Sequence, residues 1–112
     1  MTATLKGYQL NYLRSLAHTL KPVLLVGQKG VTDTVVLSLE EALDHHEIIK
    51  VKFIEKKAKA DKLAMVEVMQ KATAAHFVGM VGHIVTLYRP HPDKKKRKIQ
   101  LPQRDTTAKS MS

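Results

Sequence analysis

No cysteine occurs in the 112-residue sequence, so neither disulfides nor thiolate metal ligation are available, which suits a reducing interior. Tryptophan is absent too, and two phenylalanines with three tyrosines are too few for a dense ring platform on which nucleic-acid bases stack. No apolar run approaches the roughly 18 residues of a membrane-spanning helix. The opening MTATLKGYQLN lacks the apolar stretch and small-residue cleavage site of a secretion signal. The expectation is a soluble cytoplasmic protein with no membrane partner. Acidic residues are scarce: ten Asp and Glu face nineteen Lys and Arg, for a net charge of +9. Residues 91–112 hold seven of the basic and two of the acidic groups, and the body before them remains mildly basic. Such an excess fits a polyanionic partner, because Lys and Arg neutralise phosphates and release condensed counterions.

What is present has room for one domain with a modest core. LKGYQLNYLRSLAHTL places Leu5, Tyr8, Tyr12, Leu13, Leu16 and Leu20 near one side of a helical repeat that ends before Lys21-Pro22. VLLV, at 23–26, reads as a short buried strand, and Gly27 to Gly30 as the turn after it. Thr32 or Asp33 can cap a second helix with Val35, Leu39, Ala42 and Leu43 on one side and Leu37 on the other. IIKVKF alternates, Ile49, Val51 and Phe53 facing one way and Lys50 and Lys52 the other, so that one sheet face is packed and the other basic. A third helix carries Leu63, Val66, Met69 and Thr73, broadened by Met65, Val68 and Ala72. FVGMV and IVTLY flank Gly82-His83 as an antiparallel hairpin. The order helix, strand, helix, strand, helix, strand, strand predicts a compact layered α/β domain.

The chemistry-bearing features are mostly cationic. In VGQKGVT the spacing is G-x-x-G, shared with loops that clamp the backbone of single-stranded RNA and DNA. One reading is purely structural: Gly27 leaves the strand through dihedrals costly for other residues, and Gly30 admits close approach of the next helix. The other adds that free amides at a helix start, with the Lys29 ammonium, hold a backbone phosphate. Lys50 and Lys52 offer a second charge patch. Arg89 is divided between RNA contact and an ion pair or carbonyl contact near Pro90. Lys94, Lys95, Lys96, Arg97 and Lys98 form a basic arm, and Ile99 and Leu101 can make a short edge contact. Tyr8 and Tyr12 suit core-edge packing better than stacking. His45 and His46 are adjacent rather than one helical turn apart, and the other histidines are scattered, so no metal or other cofactor is expected. Ser15 and Ser38 lie within helical patterns without an identifiable base, and the carboxylates read as solvated charges, so no enzymatic activity is expected.

The stretches LRSLAHTLKPVLLVGQKGVT, ALDHHEIIKVKF, VGHIVTLYRP and KIQLP, in that order across residues 5–102, resemble the single-domain YhbY-like branch of the CRM family. The resemblance implies a non-enzymatic RNA-binding α/β domain, organised like the C-terminal domain of a bacterial translation initiation factor. It also implies association with ribosomal RNA in the precursor large ribosomal subunit and a part in its assembly. Carried onto this chain, the glycine loop is Gly27, Gln28, Lys29 and Gly30, and the basic strand and YRP regions are matched by Lys50, Lys52 and Arg89. The Lys94–Lys98 run and QRDTTAKSMS are less typical extensions. The expected division is a body over 1–92, a basic arm over 93–102 and a mobile polar tail over 103–112, with truncation after Pro92 leaving the body folded. The alternative is a module that binds ribosomal assembly proteins, through Leu37 for example, and uses its charge mainly to steer encounter.

Overall fold

The computed structural model describes residues 5–27, 29–54 and 58–103. In chain order these form α1 (Gly7–Ala17), β1 (Leu24–Val26), α2 (Asp33–His46), β2 (Ile48–Phe53), α3 (Lys59–Thr73), β3 (His76–Val81), β4 (Ile84–Tyr88) and a short 3-10 turn at Lys94–Lys96. The order is the expected one, with α1 shorter at both ends than its apolar pattern. Gln9 Oε1 accepts from Lys6 N at 2.9 Å where α1 begins. Leu20 N donates to Ala17 O at 2.9 Å where the chain turns toward Pro22. Thr32, rather than Asp33, caps α2, its hydroxyl accepting from Val35 N at 3.2 Å.

The four strands make one sheet in the order β1-β2-β4-β3. β1 runs parallel to β2, so the chain must cross over between them, and α2 is that crossover. β4 is antiparallel to both β2 and β3, and β3 joins it through Gly82-His83, where Gly82 takes a positive φ of 59°. Ile49, Val51 and Phe53 of β2, with Val85 and Leu87 of β4 and Val26 of β1, bury against Leu39 and Leu43 of α2 and Val66 and Met69 of α3. Alternation along β2 thus points its apolar set as expected.

The opposite face departs from the simple basic surface that Lys50 and Lys52 suggest. Leu13 and Ala17 of α1 pack there on Ile48, Val78 and Tyr88, and Ile99 and Leu101 join this second cluster. A register irregularity between Phe77 and Gly79 adds a residue to β3. Phe77 and Met80 can therefore pack against the first cluster while Val78 joins the second. Two helical stripes also differ from expectation. Tyr12 is exposed on α1, whose buried residues are Leu13 and Ala17. On α3, Leu63 and Val68 are exposed, and Lys62 takes the buried position one turn before Val66. Its ammonium reaches Gly82 O at 2.8 Å and lies 3.3 Å from His83 Nδ1, so a long aliphatic stem lies inside with its head at the hairpin.

Glu47 joins the two halves of the chain. It follows α2 with φ 63° and ψ −42°, and it is only 1% exposed. Its carboxylate accepts from His91 N at 2.8 Å, Lys98 N at 2.6 Å and Ile99 N at 2.9 Å. Its backbone carbonyl accepts from Arg89 N at 2.8 Å. Gln9 Nε2 donates to Pro102 O at 3.3 Å further along. The segment after β4 is a strap laid along the α1 side of the sheet. The expected tail beyond Gln103 lies outside the described residues.

Candidate nucleic-acid interface

The sheet register arranges the α1-side face in rows. The row under α1 holds Ile48, Tyr88 and His76, with Ile48 and Tyr88 buried. The next holds Lys50, Thr86 and Gly79, with Val23 N donating to Lys50 O at 2.9 Å on the β1 side. The outermost runs across all four strands as Leu25, Lys52, Ile84 and Val81. Leu25 and Val81 in that row are 56% and 84% exposed, so α1 leaves this end of the face open. The result is a cationic and aliphatic surface.

The glycine loop continues this surface. Ile54 N donates to Val26 O at 3.0 Å, which places the residue after β2 beside the residue after β1. A Cβ built on Gly27 would lie 3.4 Å from Ile54 Cδ1, so Gly27 faces the open side next to an exposed isoleucine. Gly30 N donates to Gly27 O at 3.0 Å and closes the turn. The structure differs from the structural reading above in which glycine takes the costly dihedrals. Gly30 carries the positive φ, 73°, and Gly27 does not. A Cβ on Gly30 would lie 3.6 Å from Met65 Sδ of α3. Lys29 between them is exposed, and Gln28 lies outside the described residues. The start of α2 is partly satisfied by Thr32 and carries Asp33 in its first turn, which tempers its attraction for an anion.

Lys29 and Lys52 therefore belong to one end of the molecule, Lys50 lies midway along β2, and Arg89 and the Lys94–Lys98 run belong to the other end. β2, six residues long, separates the two ends by roughly 17–20 Å. Of the two readings of Arg89, the structure takes the structural one. Its guanidinium is paired with Glu40 and with Asp44 Oδ1 at 2.8 Å, and it donates to Thr73 O at 2.9 Å, on the side of α2 and α3. A group so engaged is not available to a phosphate without breaking those pairs. Lys94, Lys95 and Lys96 are exposed. Arg97 Nε donates to His91 O at 2.7 Å and Lys98 Nζ to His45 O at 2.9 Å, so the strap holds this run instead of leaving it as a free arm.

Arg14 was not a candidate from sequence. Its Nε donates to Val78 O at 3.0 Å and its Nη1 to Asn11 Oδ1 at 3.0 Å, which holds the guanidinium beside Gly79 and the Lys50 row. A Cβ at Gly79 would come within 3.3 Å of Arg14 Nε, so the glycine admits the arginine. The only signal in the sequence is a glycine inside a strand pattern, a mark of a bulge or a close approach. At the covered end His76 stacks on Tyr88 with centroids 6.0 Å apart. Burial lowers the His76 pKa below its usual 6.5. Burial, then the charge of Glu47, raise that of Tyr88, with Arg97 partly opposing. Among the described residues no group of three or more His, Asp or Glu is placed to hold a metal ion, and no helix is long and apolar enough to cross a membrane.

Comparison with known proteins agrees with this architecture. The chain is 40% identical over 101 residues to a Haemophilus influenzae protein named RNA-binding protein, covering 90% of this chain and 98% of that one. It is 35% identical over 98 residues to the probable RNA-binding protein YqeI of Bacillus subtilis, covering 88% and 99% of the two. The solution structure of a hypothetical Staphylococcus aureus protein, reported with RNA binding as its suggested role, superposes with a TM-score of 0.75 at 30% identity, covering 88% of this chain and all of that one. The family model of the CRS1 / YhbY (CRM) domain matches residues 5–89, from the start of α1 through β4 and Arg89, and the chain belongs to that family.

Proposed function

We propose that this protein binds ribosomal RNA, docking by charge and then placing its glycine loop against the phosphate backbone, and that it does so on precursor large ribosomal subunits during their assembly. The observation that carries the reading is that the Gly27–Gly30 turn and Lys52 lie at one end of the sheet and share one face of it with Lys50 in the next row. The surplus of nine positive charges and the RNA-binding names of the relatives support it. Phosphate contacts from Lys29, Lys50, Lys52 and Arg14 position the domain, and RNA shape supplies selectivity. Lys94, Lys95 and Lys96 reach a second stretch of backbone from the far end, while Arg89 stays with its carboxylates. A second reading, docking to an assembly protein, is favoured only by Leu37, 71% exposed on α2.

The test is equilibrium binding to precursor large-subunit RNA and to an unrelated RNA of equal length, with thermal unfolding in parallel. Lys29→Ala and the pair Lys50→Ala/Lys52→Ala should each stay folded and lose about 1–2 kcal/mol of affinity for the precursor RNA, the scale of a charge-assisted hydrogen bond. Parental affinity in both variants would remove the open face from the interface. Parental RNA affinity with Leu37→Lys abolishing binding to protein-containing particles would favour the second reading.

A further inference from the structure

Beyond α1 the open face is not flat. A cavity of about 490 Å³ lies between the C-terminal half of α1 and the sheet, lined by Arg14, His18, Lys50, Gly79, Val81 and Thr86 among others. That volume falls in the range of small-molecule sites. Its chemistry is one-sided, since its lining includes an arginine, a lysine and a histidine and no carboxylate. Lys50 Nζ, Thr86 Oγ1, the His18 ring and Arg14 Nη2 have no hydrogen-bond partner among the described residues, whereas Arg14 Nε and Nη1 are both held. The guanidinium plane is therefore oriented in advance, with donor capacity left over. Beside it the strand backbone is bare at Gly79, where a Cβ would lie 3.3 Å from Arg14 Nε and crowd that plane. Ala17 and Val81 complete an aliphatic wall.

We infer that this cavity receives a single unstacked nucleotide of the bound RNA. The inference rests on the RNA-binding reading above and adds to it the kind of RNA element recognised. An unpaired base splayed from its helix needs a flat partner, and arginine planes serve as well as rings. No Phe, Tyr or Trp lines the cavity; its planar groups are the His18 ring and the Arg14 guanidinium, and the guanidinium, fixed by two hydrogen bonds, is that partner. Lys50 and His18 meet the phosphate that accompanies the base, and the Thr86 hydroxyl bonds its edge or the ribose. Entry costs least for a base that is already unpaired, so bulges and loops are selected over continuous duplex.

The experiment uses the full chain and three RNA hairpins of equal length: perfectly paired, with one unpaired adenosine, and with an abasic residue in that place. The parent protein should bind the adenosine bulge about tenfold more tightly than either of the others, a difference of about 1.4 kcal/mol. Arg14→Lys keeps the charge and loses the plane, and Thr86→Val keeps the strand and loses the hydroxyl. In each, the preference for the bulge over the abasic hairpin should fall below about threefold. Thermal unfolding accompanies both, and if Arg14→Lys does not fold, Thr86→Val decides. Equal binding of the three hairpins by the parent, or an undiminished preference in the folded variants, overturns the nucleotide cavity and leaves RNA binding in place. Failure to bind any of the three overturns both. Adenosine 5′-monophosphate is titrated alone as a further arm. Binding as tight as that of the bulged hairpin would make the cavity a free-nucleotide site and overturn the RNA origin.

Discussion

Glu47 shows how much one side chain can determine. Placed after α2 with a positive φ and almost fully buried, it finds donors in three amides of the strap. Glu47→Gln keeps the shape but removes the charge and turns an amide group toward those same donors. It should lower stability by about 2–3 kcal/mol, since hydrogen bonds to charged groups are worth more than neutral ones. Urea unfolding measures this, and a change under about 0.5 kcal/mol would show that the carboxylate does not hold the strap. His76 has a pH signature of its own. Burial lowers its folded pKa below 6.5, so the unfolded chain binds the proton first as pH falls. Its contribution is complete above 6.5 and is lost as pH drops from there through the folded value. Melting curves between pH 7.5 and 5.5 should therefore fall less steeply for His76→Phe than for the parent, and parallel curves would remove His76 as the source.

At the scale of elements, the strap behaves differently from its composition. Polar and lysine-rich, it reads as an arm, yet Ile99 and Leu101 pack with Leu13 and Tyr88. Lys98 N and Ile99 N satisfy a buried carboxylate. Truncation after Pro92 should thus lower the melting temperature by roughly 10–20 °C, the effect of about 3 kcal/mol in a domain of this size, rather than leave the body intact. An unchanged melt would restore the boundary at Pro92. Elements with strong periodicity were legible: α2 and β2 bury the residues their patterns name, and Gly82-His83 makes the hairpin. The rest required the third dimension. Lys62 counts as polar in any pattern, so Leu63 takes its place on paper. Arg89 meets carboxylates 45 and 49 residues away. The loop lysines and the Lys50 row are legible as charges but not as neighbours, because that depends on the parallel pairing of β1 with β2.

For the molecule as a whole, charge is distributed to two ends, and the ionic-strength dependence of RNA binding should report both. For every three or so phosphates of single-stranded RNA neutralised, the logarithmic salt slope steepens by roughly 2. Replacing Lys94, Lys95 and Lys96 together by alanine should bring the slope closer to zero by about one without changing the melt, as these side chains are exposed. A slope unaffected by this triple change would confine binding to the glycine-loop end. The same molecule has a seam between parts of unequal persistence. The amides of His91, Lys98 and Ile99 share one acceptor side chain, so detaching that carboxylate frees all three at once. Under conditions where reclosing outruns chemistry, their deuterium uptake should follow a single opening constant, reached well before Val51, Val85 and Leu87 at the centre of the sheet begin to exchange.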